Sequence, residues 1–165
     1  MFCYCLKSFF KISISLSLFF LTISFGYAQT PIFSPAMSIT EFGSVSSPAN
    51  EGVANIIDGT SSTKFLDFNF NDGMGFTVDL GGNSKAASSI SITTANDVPG
   101  RDPQNYSVLG SNDGTNFTQI ASGTMPCVSN RLYERTYNFS NSTAYEFYRV
   151  NFTTLCGSEN SMQLS

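Results

Sequence analysis

The chain has 165 residues, of which 41% are apolar and 12% charged, with twelve acidic against eight basic side chains and no histidine. Without histidine there is no common general base, no usual zinc ligand and no Ser-His or Cys-His dyad. The acidic balance makes nucleic acid and anionic membrane poor partners, since both are held by clustered Lys and Arg.

Residues 1–28 read as a signal peptide. Lys7 and Lys11 form a basic start, residues 12–25 are apolar apart from scattered Ser and Thr, and Gly26-Tyr27-Ala28 puts small residues where a signal peptidase cuts. The apolar run is short for a membrane span, and Cys3 and Cys5 precede it rather than forming a lipid anchor after it. Cleavage before Gln29 predicts a secreted, extracellular or cell-surface chain whose mature part does not insert into membrane. That part has 137 residues with six basic and twelve acidic side chains. It is long enough for one domain that buries about two thirds of its unfolded surface. Cys127 and Cys156 remain, and in an exported chain they are expected to form a disulfide. Closing a loop of about 30 residues stabilises by roughly 3–4 kcal/mol in the chain-entropy model. A reactive thiol is the alternative, without a histidine to activate it.

Residues 29–45 are rich in Pro, Ser and Thr and form a leader or an edge strand; residues 46–52 are a loop. Residues 53–57 lead to Asp58-Gly59, a tight turn because Gly tolerates positive φ and Asp bonds its own backbone. Four small hydroxylated residues follow, 60–63, then Lys64 and Phe65. The Asp58 carboxylate, nearby carbonyls and the Thr63 hydroxyl are placed to converge, an all-oxygen set suited to a hard cation such as calcium. A turn with a merely hydrogen-bonded Asp is the plainer reading. Beyond it, Phe76, Val78 and Leu80 alternate with polar residues, as do Ile90 and Ile92. Asp113-Gly114 between two apolar runs predicts a hairpin, residues 135–139 alternate again, and residues 145–155 are the most strand-like of all. Short strands joined by Gly, Asn and Pro turns, with no long helical period, predict an antiparallel sandwich.

Four segments carry a family resemblance: Asp58-Gly59-x-x-x-Thr63 with an aromatic at 65; the run from Tyr106 through Asp113-Gly114 to Phe117; Tyr148-Arg149-Val150-Asn151-Phe152; and Ser161-Met162-Gln163-Leu164-Ser165. Over residues 46–165 the chain resembles discoidin-like domains, also called coagulation factor 5/8 type C domains, and their galactose-binding relatives in carbohydrate-binding module family 32. The resemblance implies an all-β, galactose-binding-like jelly-roll sandwich. In the family a Glu follows the point where this chain stops, at Ser165, which implies a domain cut short before its last strand ends.

The resemblance also implies a structural calcium site. Its ligands would be the Asn55 carbonyl, the Asp58 carboxylate, the Thr60 carbonyl, the Thr63 carbonyl and hydroxyl, and the Ser165 carbonyl. With one carboxylate the site is expected to bind weakly. Ligand recognition would come from three loops, residues 66–71, 100–105 and 157–161. A sugar needs an aromatic face for its C–H surface and planar polar groups for its hydroxyls. The resemblance places Phe68 and Asn69 in the first loop, Arg101, Asp102 and Asn105 in the second, and Glu159 and Asn160 in the third. Arg101 and Asn105 fall where relatives hold galactose-type hydroxyls, but the His or Trp common in the first loop is missing. Arg101 and Asp102 either pair with each other or meet a ligand; Phe68 and Phe70 either join the core or face solvent; Glu159 and Asn160 either bind or are solvated loop residues.

The expected function is therefore a non-catalytic module that binds a glycan or glycoconjugate. The alternative is an adhesion or scaffold module that binds a protein partner through the same loops. Asp67, Asp72 and Glu159 supply carboxylates for glycoside hydrolysis, but without sign of a cleft no enzyme is expected. Sequons at Asn105, Asn116, Asn138, Asn141 and Asn151 matter only in a glycosylating host.

Overall fold

A computed structural model describes residues 30–43, 46–70 and 73–165; the predicted signal peptide lies outside them. Alternation builds the first layer. On β3 (Met74–Asp79), Phe76 and Val78 point inward and are at most 4% exposed, with Leu80 just beyond. β8 (Phe147–Leu155) does the same with Tyr148, Val150 and Phe152, and β5 (Pro103–Ser111) with Tyr106 and Val108. Burying each such side chain stabilises the fold by about 1.5–3 kcal/mol. With β1 (Ser38–Phe42) and β6 (Thr118–Thr124) they form a five-stranded antiparallel sheet in the order β1-β3-β8-β5-β6. β1 lies at one edge of this sheet, and Asp113-Gly114 lies in the turn of the β5–β6 hairpin.

The opposing layer is made of two pairs, β2 (Phe65–Asp67) with β9 (Met162–Leu164) and β4 (Ser89–Thr93) with β7 (Glu134–Asn138). Ile90 and Ile92 of β4 and Tyr137 of β7 pack against the first layer, and Ser165 N–H donates to Thr93 O at 3.1 Å to link the pairs. The result is the expected antiparallel β-sandwich. Only two short 3₁₀ turns interrupt it among the described residues, Val53–Ile56 and Pro99–Arg101, and no helix there is long and apolar enough to cross a membrane. Cys127 and Cys156 are disulfide-bonded, with Cα atoms 5.6 Å apart.

Candidate functional site: three loops at one end of the sandwich

The loop of residues 66–70 leaves β2 at Asp67, where the chain stops alternating. Phe68 turns outward and is 43% exposed, whereas Phe70 packs against the core. Phe70 N–H donates to Asn160 O at 2.8 Å, so the first and third loops touch. The second loop joins the third through Cys156 N–H to Asp102 O at 2.9 Å and Gly157 N–H to Gly100 O at 2.8 Å. Gln163, fully buried on β9, donates its amide to Val98 O at 2.9 Å and supports the second loop from below. The three predicted loops therefore do come together.

Gly100 and Gly157 set how close they come. The Glu159 carboxylate lies over both, so a Cβ at Gly100 would sit 2.3 Å from its oxygens and one at Gly157 2.0 Å from Oε2. At Gly157 a Cβ would also stand 2.8 Å from Gly100 Cα, so glycine is required there, whereas at Gly100 it would meet only the movable Glu159 side chain. Glu159 folds back over the backbone ladder yet accepts no hydrogen bond among the described residues, and it stays exposed. Arg101 follows Gly100 directly, and its Nε is buried without a partner. Arg101 and Glu159 form no ion pair with each other among the described residues.

The predicted polar residues fare differently. Asp102, expected at the ligand surface or paired with Arg101, is 4% exposed and belongs to Arg131 instead. Arg131 forks onto it, Nη1 to Oδ1 at 2.9 Å and Nη2 to Oδ2 at 2.5 Å. The same guanidinium donates to the Ala95, Asp97 and Val128 carbonyls. The physical reason is reach: adjacent side chains diverge, while a planar fork from a neighbouring loop matches a carboxylate. Asn105 lies inside β5, not in the loop, and its amide oxygen accepts the Thr124 hydroxyl at 2.7 Å. Asn69 and Asn160 are exposed beside Phe68 and Phe70. Asp97, unforeseen, pairs with Lys64 at 2.8 Å. Burial opposes its charge, but the Lys64 hydrogen bond and charge, with Arg101 nearby, hold its carboxyl below the usual range. Tyr133, also unforeseen, is 43% exposed with the Arg135 guanidinium 5.1 Å over its ring. A cavity of about 30 Å³ opens under the disulfide, lined by Met125, Pro126 and Tyr133, large enough for a water but not for a sugar ring.

The Asp58 loop makes a second arrangement. Gly59 has φ +82°, as the turn requires. Asp58 Oδ1 accepts Thr60 N–H at 2.9 Å, and Oδ2 accepts the Thr63 hydroxyl at 2.5 Å; that hydroxyl is also 3.3 Å from Thr60 O. Asp58, Thr60 and Thr63 therefore converge through these hydrogen bonds. Asn55 uses its side-chain amide elsewhere, donating to Asn50 O and Lys64 O. Ser165 follows Leu164, which pairs with Phe65, and its hydroxyl is buried without a partner.

The F5/8 type C domain model matches residues 39–164. The chain belongs to the F5/8 type C domain family. Solved structures with the same fold as this F5/8 type C domain include the module CpGH89CBM32-5 from Clostridium perfringens in complex with GalNAc-β-1,3-galactose. It has 20% identity and a TM-score of 0.63, over 78% of this chain and 90% of that one. A chitosan-binding module of a chitosanase/glucanase from Paenibacillus sp. IK-5 has 19% identity and a TM-score of 0.65, over 82% and 95%. The family 32 module of C. perfringens NanJ, in complex with galactose, has 19% identity and a TM-score of 0.62, over 78% and 88%. Comparison with curated proteins finds no match.

Proposed function

We propose that this F5/8 type C domain is a secreted, non-catalytic module that binds a glycan on the surface formed by its three joined loops. The observation that carries this reading is that backbone hydrogen bonds join the three loops that carry exposed Phe68, Arg101 and exposed Glu159. Phe68 offers a face for sugar C–H groups, Arg101 donates to hydroxyl oxygens, and Glu159 accepts from hydroxyls. Asn69 and Asn160 extend this polar rim, and Asn105 contributes only its amide NH₂. The surface is open, so affinity for one sugar is weak and function comes from tethering or multivalency. The family membership and the glycan-bound neighbours support the same reading.

Catalysis is not part of it. Asp67, the best-placed carboxylate near Phe68, is fully buried and engaged with backbone N–H groups, and Asp72 lies outside the described residues. Calcium, if held, would be held by Asp58, Thr60 and Thr63, with Ser165 and the Asn55 carbonyl as further oxygens, and would stiffen the loop before β2.

A protein partner is the second reading, favoured by exposed apolar side chains next to the same loops. Leu132 is 49% exposed with φ +53°, and Tyr133 and Val98 are also exposed. Titration against a panel containing galactose, GalNAc-β-1,3-galactose, chitotriose and a uronic acid separates the two. The glycan reading expects a weak but saturable response that Phe68→Ala and Arg101→Ala each reduce at least tenfold. No response to any glycan, together with capture of a protein ligand that Leu132→Ser abolishes, would favour the protein partner.

A further inference from the structure

Glu41 lies near the end of β1 on its inward side, opposite Phe76 of β3. Its Oε1 is buried and receives no hydrogen bond from any donor among the described residues. The group it faces is the carboxyl of Asp67, the last residue of β2, which is fully buried. Asp67 already accepts Ser46 N–H at 2.5 Å through Oδ2 and Asn69 N–H at 2.6 Å through Oδ1. From β9 the residue opposite Asp67 is Met162, and among the described residues the segment after β1 brings the Ser47 hydroxyl beside Glu41. Among the described residues no Lys or Arg forms an ion pair with either carboxyl. Arg149, which β8 carries near β1, is turned to the other face of the sheet, onto Phe42, Phe117 and the Thr77 hydroxyl. Two carboxyl groups that face each other with no cation between them attract only if one carries a proton.

We propose that Glu41 and Asp67 share one proton, and that this protonated pair is a latch tying the end of β1 and residues 46–47 to the loop that presents Phe68. Two further contacts show what the latch would hold: Phe68 N–H donates to Ser46 O at 3.2 Å, and Asn69 N–H is anchored on Asp67 itself. Glu41 is thereby a positioning residue for the glycan surface. That role rests on the proposed function; the shared proton does not.

The sign of the pH dependence follows. Burial first, then the hydrogen bond and charge of Asp67, push the Glu41 carboxyl up to about 7, against a smaller opposing pull from Ser47. An acid whose folded value is raised stabilises the fold in its protonated form. The contribution is complete below the ordinary carboxylate range and is lost as pH rises from there through about 7. Above that, two negative charges meet beside a fully buried residue, and the segment and the Phe68 loop separate.

The test is carboxyl-carbon NMR of the labelled mature chain from pH 4 to 9, read together with the Ser46 and Asn69 amide signals. One side-chain carboxyl is expected to titrate near neutrality, and both amides to shift with the same midpoint. Glu41→Gln, whose amide donates to Asp67 at every pH, should remove that step and keep both amides in their low-pH position. Its melting temperature should gain on the native chain steadily from pH 5 to 8, and galactose or chitotriose affinity that weakens severalfold over that range in the native chain should stay flat in the variant. A Glu41 carboxyl titrating below pH 5 would overturn the shared proton. A neutral midpoint with unmoved Ser46 and Asn69 amides would overturn the latch. A working latch in a protein that binds no glycan at any pH would overturn only the role assigned to the surface.

Discussion

Asp113 and Asp58 each open an Asp-Gly turn in the same domain, and each could have been a bare hairpin residue or a ligand. Asp113 is fully engaged: Oδ1 accepts Thr115 N–H, Asn116 N–H and the Ser111 hydroxyl at 2.7–2.9 Å, and Oδ2 accepts the Asn116 amide at 2.7 Å. A carboxylate offers about four lone-pair sites, so little is left for a ligand. Asp58 accepts two hydrogen bonds, and one of its donors, Thr63, brings an oxygen of its own. The dipeptide is the same; the spacing of the hydroxyls after it decides whether the carboxylate closes on itself or stays open. The same contrast runs through the larger structure. The Asp113 carboxylate is held by donors two or three residues away, while the Asp102 carboxylate of the second loop is held by Arg131, 29 residues away.

The strongest way to break that contrast is Arg131→Ala. It strips a mostly buried carboxylate of its partner and frees four backbone carbonyls, which costs about 3 kcal/mol or more. Urea unfolding should show the loss, and hydrogen exchange should rise at residues 95–102 and 128–132 while residues 113–116 keep their protection. Equal loosening of the hairpin would contradict the division drawn here. Calcium sharpens the comparison at the two aspartates. With a site of about 1 mM affinity, 10 mM calcium should stabilise the native chain over its EDTA-treated form by ~1.4 kcal/mol. Asp58→Asn should abolish that gain and Asp113→Asn should leave it intact.

Acid probes the Asp113 turn, with a smaller effect. Hydrogen bonds from Asn116 first, then Thr115 and Ser111, hold the Asp113 carboxyl well below the usual carboxylate range. A lowered folded value means stability present above the unfolded value of 3.8 and lost as pH falls through the folded one. Thermal melts of Asp113→Asn should therefore lie below the native chain at pH 7 and converge on it toward pH 2. An unchanged gap would show that the carboxylate's bonds do not stabilise the turn.

Much of this was legible before the structure. Phe76, Val78 and Leu80 alternate, so their strand and its buried face could be read directly, and Asp113-Gly114 marked its hairpin. β2 was not visible, because Phe65, Leu66 and Asp67 are all buried and show no alternation. That hidden strand also explains why Phe68 and Phe70 could not be assigned. Period-two spacing suggests one shared face, but the strand ends at Asp67 and the chain turns between them. Arg131 left no local signal, since it stands 29 residues from Asp102 in a loop without pattern. Sequence adjacency pointed to Arg101, and the fold brought a better-shaped partner from elsewhere. Glu41 left no signal in the sequence, and the fold sets it before a second carboxyl.

The most direct measurement of the central claim is backbone and side-chain NMR of the mature chain titrated with whichever panel glycan binds best. Shifts concentrated at Phe68, Arg101, Glu159 and Asn160, lost in Phe68→Ala while that variant's melting temperature holds, are the predicted result. Saturable shifts confined to the Asp113 hairpin or to the outer face of the five-stranded sheet would contradict it.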